Sequence, residues 1–133
     1  MKSEQAQILV SEAVALAKKD FGRPICVAVC DQYGFQIAFA RMDGAPIRSI
    51  AISQGKAYSA ARMCIDTDAF LERLHRENVP AGYFCDDKLT GLPGGCVIKS
   101  ADGAIVAAVG ISGLAPSEDL VIARALVKKA SSF

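Results

Sequence analysis

The sequence predicts an α+β fold, an antiparallel β-sheet flanked by α-helices, and three observations carry that prediction. Helical periodicity recurs in four separate segments, and two pairs of short apolar runs each close on a tight turn. The order runs helix, hairpin, two helices, loop, hairpin, helix. Tight turns join only antiparallel neighbours, so both hairpins belong to an antiparallel sheet.

Over residues 3–19, Ala6, Val10, Ala13, Val14 and Ala17 fall on one face at helical spacing, continued by Phe21. Lys18 and Lys19 stand in the last turn and Gly22 just past it, as a helix C-terminus favours. The β-branched apolar run 25–30, the turn Asp31-Gln32-Tyr33-Gly34 and the run 35–41 read as a hairpin whose first strand is buried on both faces. Met42-Asp43-Gly44-Ala45-Pro46 breaks the strand, and Ile47, Ile50, Ala51, Tyr58 and Ala61 mark an apolar stripe on a helix over 46–63. Asp66 and Thr67 offer an N-cap to a shorter helix carrying Phe70, Leu71 and Leu74, which Asn78-Val79-Pro80 ends. Residues 79–95 are irregular. Cys96-Val97-Ile98-Lys99, a turn at Asp102-Gly103 and the run 104–111 make the second hairpin. A last helix starts at Ser117, with Glu118 and Asp119 in its first turn and Lys128 and Lys129 in its last.

The chain has 133 residues, about one domain's worth. Its net charge of +1 supplies no basic excess for a phosphate backbone, so no nucleic-acid partner is expected. Charged residues make up 22% and apolar ones 52% even without the 11 glycines, more apolar surface than so small a body hides easily, and self-association is expected. The apolar run 25–30, which no other run exceeds, is far below the ~18 residues of a membrane span. No signal-peptide pattern opens the chain, so it reads as cytoplasmic, although a removed leader would be invisible. Five cysteines without framework spacing read as reduced thiols, mostly buried.

Several motifs fail on inspection. Gly55-Lys56 resembles the end of a phosphate-binding loop, but Ile50 stands where its first glycine belongs and Ala57 where a hydroxyl belongs. Gly110-Ile111-Ser112-Gly113-Leu114 has leucine in place of the last glycine of a nucleophile elbow. Cys26 and Cys30, about 13 Å apart along one strand face, cannot share a disulfide or a zinc ion.

The candidate site residues fall into three groups. Arg41 and Asp43 end a strand before a helix N-terminus; Asp43 caps that helix while Arg41 pairs with a carboxylate, or the two form the polar rim of an anion site. Gly110, Ser112 and Gly113 place amides and a hydroxyl before the last helix, either to hold a carboxylate or to shape a tight connection. For metal, His75 is the only imidazole and lies in a charged, solvated stretch, while Cys85 stands in the irregular loop beside Tyr83 with an accessible thiol.

Three sets of strings, read together, resemble one family. They are Val27-Ala28-Val29-Cys30-Asp31-Gln32-Tyr33-Gly34 running into Arg41-Met42-Asp43-Gly44-Ala45, then Ala51-Ile52-Ser53-Gln54-Gly55-Lys56-Ala57, then Gly94-Gly95-Cys96-Val97-Ile98 with Gly110-Ile111-Ser112-Gly113 and Glu118-Asp119. The resemblance is to the GlcG/HbpS-like haem-binding (haem-degrading) domains, which include the C-terminal domain of PduO-type corrinoid adenosyltransferases and OrfY-like proteins of diol and glycerol utilisation operons. It covers nearly the whole chain, so residues 1–133 are expected to form a single domain of this kind. It implies a profilin-like sheet, a homo-oligomer of two or more chains, and haem or a related tetrapyrrole as ligand, with a part in haem and iron handling. Arg41, Arg48 or Lys56 would meet the propionates by charge-assisted hydrogen bonds. Unlike typical members, the chain carries Cys30, Cys85 and Cys96 and no histidine near its N-terminus, so an axial ligand would come from His75, Cys85, Met42, Met63, Tyr58 or Tyr83. The alternative is a non-catalytic oligomeric accessory protein of cobalamin-dependent diol or glycerol, or of glycolate, metabolism. An enzyme acting on a small carboxylate ranks last, since no residue is assigned as base or nucleophile.

Overall fold

In the computed structural model, which describes residues 1–133, the short apolar runs pair as the hairpins require. Strands β1 (Cys26–Asp31), β2 (Gln36–Arg41), β3 (Gly95–Lys99) and β4 (Ile105–Ser112) form one antiparallel sheet in the order β2-β1-β4-β3. The two most apolar strands, β1 and β4, take the centre, where both faces are covered. Helices α1 (Ser3–Leu16) and α4 (Pro116–Ala130) cover one face, and α2 (Arg48–Met63) crosses the other. Helix α3 (Thr67–Glu77) sits beside α2 and β3.

The two faces are packed differently. Against α1 and α4 the sheet presents branched side chains, Val27, Val29, Val109 and Ile111, which meet Leu9, Val10, Ile122 and Leu126 in the larger core. Against α2 it presents Ala28, Cys30 and Ala108, which meet Ala57, Ala60 and Ala61. Small residues on both sides bring helix and strand backbones into direct contact. Gly110 is the extreme case: a Cβ there would overlap the Ser53 carbonyl and stand 2.6 Å from the Ala57 nitrogen.

This close approach turns α2 relative to its apolar stripe. Ile47 and Ala51 are exposed and Ile50 and Tyr58 half-buried, whereas Ser49, Ser53, Lys56, Ala57 and Ser59 face inward. Size decides over hydropathy here, because isoleucine or tyrosine would hold the helix off the sheet. Other boundaries move slightly. Helix α1 closes in a π-helical turn, Ala17–Phe21, ended by Gly22 in the left-handed region. Helix α2 starts two residues after Pro46. Asp43 neither caps α2 nor makes any other hydrogen bond, and Arg41 pairs with no carboxylate, so the expected helix cap and ion pair are not formed. The irregular stretch contains a 3₁₀ turn, Ala81–Phe84, held to α3 by an edge-to-face contact of Phe84 with Phe70 at 5.6 Å.

The edges of the sheet are unequal. At β3, Thr67 accepts from the Gly95 amide at 2.9 Å and Asp66 from the Val97 amide at 2.9 Å, so the start of α3 occupies two outer amides of the strand. Asp66 therefore caps a strand rather than its own helix. No side chain bonds the outer backbone of β2 in this way.

Gly110→Ala is expected to lower stability by about 1–3 kcal/mol, the range for overpacking a filled interior. Gly82→Ala, where a Cβ meets nothing within 4 Å, should change it by less than about 0.5 kcal/mol. Urea unfolding of both variants checks the contrast.

Candidate functional site

Two cavities flank α2, and Ile52 lines both. The larger, about 640 Å³, is a groove between α2, the β1–β2 hairpin and the segment 87–90. Ala28, Ala51, Ile52, Ala57 and Leu89 give it apolar walls, and its volume lies in the range of small-molecule and cofactor pockets. It exists because α2 lies over β1, β4 and β3 and leaves β2 uncovered on that side. Its outer wall is pinned to α2 at two points: the Tyr58 hydroxyl donates to Asp86 at 2.6 Å, and the Thr90 amide donates to the Ser59 hydroxyl at 2.8 Å. Gln54 donates to Gln36 at 3.1 Å, tying α2 to β2.

Tyr58 is the most elaborated side chain of the groove. Arg62 and Lys88 stand 4.9 and 5.3 Å from the centre of its ring. The hydrogen bond to Asp86 raises the phenol above its ordinary value and holds the Asp86 carboxyl below its own. Cys30 also lines the groove, but burial pushes its thiol up to about 12, and it donates to the Ala57 carbonyl as a neutral group.

The smaller cavity, about 160 Å³, is a polar cleft where α2, the end of β4 and the start of α4 meet. At its base lies a buried ion pair. The Lys56 ammonium, 1% exposed, donates to Asp119 at 2.9 Å and to the Ile111 carbonyl at 2.7 Å. Asp119 accepts from the Leu114 amide at 3.1 Å through its other oxygen. Burial pushes the lysine down and the aspartate up, and their mutual attraction opposes both shifts. Ser112 donates to Ser49 at 3.2 Å along one wall, and Arg48 stands at the mouth, in no ion pair or hydrogen bond.

Of the residues singled out in the sequence, Arg48, Lys56, Ser112 and Gly113 come together in this cleft. Lys56 is not the free cation expected, because Asp119 compensates it. Gly110 lies beneath α2 as a packing contact. Arg41 and Asp43 are exposed and line neither cavity. His75, on the open face of α3, and Cys85, just after the 3₁₀ turn, are exposed and line neither. No group of three or more His, Cys, Asp or Glu side chains is placed to hold a metal ion. Asp119, Ser49 and Asp86 are not among the site residues the sequence predicts; for Asp119 the signals are its place in a helix first turn and in the Glu118-Asp119 string.

These features define a class: a small α+β fold in which a central helix lies directly on an antiparallel sheet, with an apolar groove and a polar cleft beside it. The chain belongs to the HbpS-like family, described as haem degrading protein HbpS-like, whose family model matches residues 1–128. Among solved structures it is similar to a double mutant of HbpS from Streptomyces reticuli, at 30% identity and a TM-score of 0.87 over 97% of this chain and 86% of that one. It is also similar to a PduOC:heme complex, at 23% identity and a TM-score of 0.84 over 96% and 93% of the two chains. A third similar structure is the ORFY protein of Klebsiella pneumoniae, of family model DUF336, at 22% identity and a TM-score of 0.88 over 100% and 92%. At their level of identity the latter two show a shared fold. Among curated proteins none matches.

Lys56→Met leaves a carboxylate buried without its partner and should cost about 3–5 kcal/mol in urea unfolding, with Lys56→Met/Asp119→Leu recovering much of the loss. In a thiol titration of the native protein, Cys64 and Cys85 should react quickly, while the buried Cys26, Cys30 and Cys96 should react only on unfolding.

Proposed function

We propose that residues 1–133 work as one haem-binding domain, with the groove beside α2 as the haem site and a role in haem and iron handling. The carrying observation is the apolar groove of about 640 Å³ with Tyr58 on its wall. Membership of a family described as haem degrading supports this reading, as does a haem complex of a protein with the same fold.

The donor set fits the group. Of the six side chains considered as axial ligands, Tyr58 alone lines the groove, and tyrosine is an established haem ligand. Asp86 orients the phenol, which would be the oxygen donor toward an iron held in the groove. Lys88, on the groove wall, and Arg48, in the cleft that adjoins it at Ile52, supply cations for propionates. Bound haem would supply iron redox chemistry; the chain contributes an apolar enclosure and a fixed oxygen donor. The exposed aromatic and aliphatic side chains Tyr33, Phe35 and Ile47, each more than 60% exposed, support association into a homo-oligomer. No helix is long and apolar enough to cross a membrane.

A spectrophotometric haemin titration with light scattering on the same sample tests the proposal. Saturation at one haem per protomer or per dimer is expected, with Tyr58→Phe weakening binding by at least about tenfold and shifting the Soret band. His75→Ala and Cys85→Ala should leave the spectrum unchanged. A spectrum lost in either of these and kept in Tyr58→Phe would move the ligand out of the groove, and non-saturable binding would overturn the haem reading.

A further inference from the structure

The polar cleft has donors that the chain does not use. An ammonium carries three N–H groups, and Lys56 spends two, on Asp119 and the Ile111 carbonyl. The Ser112 and Ser49 hydroxyls, 5% and 2% exposed, share a single hydrogen bond at 3.2 Å, so one of the two protons has no acceptor. Both side chains line the same cavity, and a buried donor without an acceptor is costly unless something else occupies the space. At the mouth, the Arg48 guanidinium has no carboxylate partner. Glu118, in the first turn of α4, is paired with Arg23 at 2.7 Å.

The charge count fixes the ligand. Lys56 and Asp119 cancel, so Arg48 is the one uncompensated charge of the lining, which suits a monoanion. A dianion would set a second negative charge beside Asp119. The volume of about 160 Å³ corresponds to about five waters, room for a carboxylate on a short carbon chain. We infer that this cleft is a carboxylate-binding site, in which Lys56 and Ser49 donate from below and Arg48 closes over the anion from the mouth. The source is a free short-chain acid or a carboxylate arm of a ligand held in the neighbouring groove, since Ile52 separates the two cavities. The cleft stands on its own donors and does not require the haem reading.

The test is an amide chemical-shift titration of ¹⁵N-labelled protein with sodium acetate, against sodium chloride at matched ionic strength. Saturable shifts at Ser49, Ser112, Gly113 and Leu114, absent with chloride, are expected. Arg48→Ala, at an exposed position, should weaken acetate by about ten- to a hundredfold, and Ser49→Ala should weaken it with the fold intact. Shifts that never saturate, or that persist unchanged in both variants, overturn the site. Haemin and its dimethyl ester then distinguish the sources. Displacement of acetate by haemin and not by the ester assigns the cleft to a propionate, and binding of both without displacement assigns it to a free acid. Acetate binding by a protein that ignores haemin would overturn the haem proposal and leave the cleft standing.

Discussion

The buried contact between Lys56 and Asp119 is the constraint around which the fold closes. It joins α2 to α4 across the end of β4, and its remaining bonds go to the Ile111 carbonyl and the Leu114 amide, the two ends of the strand-to-helix turn. The strand opposite must leave room for it. A Cβ at Gly94 would stand 2.9 Å from the Lys56 ammonium, and one at Gly95 would overlap the Lys56 carbonyl. The strings Lys56-Ala57, Gly94-Gly95, Gly110 to Gly113 and Glu118-Asp119, scattered through the sequence, are thus parts of one construction. A buried ion pair is a poor source of net stability, because desolvation consumes most of the attraction. Its contribution here is geometric: it ties one point of α2 to one point of α4 and to both ends of the turn that joins β4 to α4.

That placement creates the cavities. With Gly110, Ala108 and Ala28 beneath it, α2 settles onto the strand backbones over β1 and β4 and leaves β2 uncovered. The helix then shows one flank to the groove, through Ile52 and Tyr58, and the end of its buried face to the cleft, through Ser49 and Lys56. Core packing and site geometry are therefore one problem in this fold. A substitution that lifts α2 by the width of a methyl group changes both cavities along with the stability.

Most of the fold was legible because its signals are local. Hairpins announced themselves through Asp31 to Gly34 and Asp102-Gly103, and helices through their periodicity and terminal residues. The inward face of α2 is not legible, since hydropathy ranks Ile47 and Ile50 above Ser49 and Ser53, and only the glycine and alanines of strands far away in sequence reverse that order. The site was legible in part. Gly113 and Ser112 are legible as a strand-to-helix set and Arg48 and Lys56 as candidate cations, but the partner of Lys56 lies 63 residues further on, and no spacing rule connects them. Local pattern likewise placed Asp66 as a helix cap, whereas β3, paired only after folding, takes its carboxylate.

That use of Asp66 and Thr67 bears on how copies of the sheet can meet. Backbone pairing between chains needs two bare edges, and here each chain brings only β2, the edge at β3 being engaged by α3. Strand addition of β2 to β2 consumes both and leaves nothing to extend, so it ends in a closed two-fold pair. A sheet with both edges bare keeps a free edge after every such addition; one capped at β3 would not.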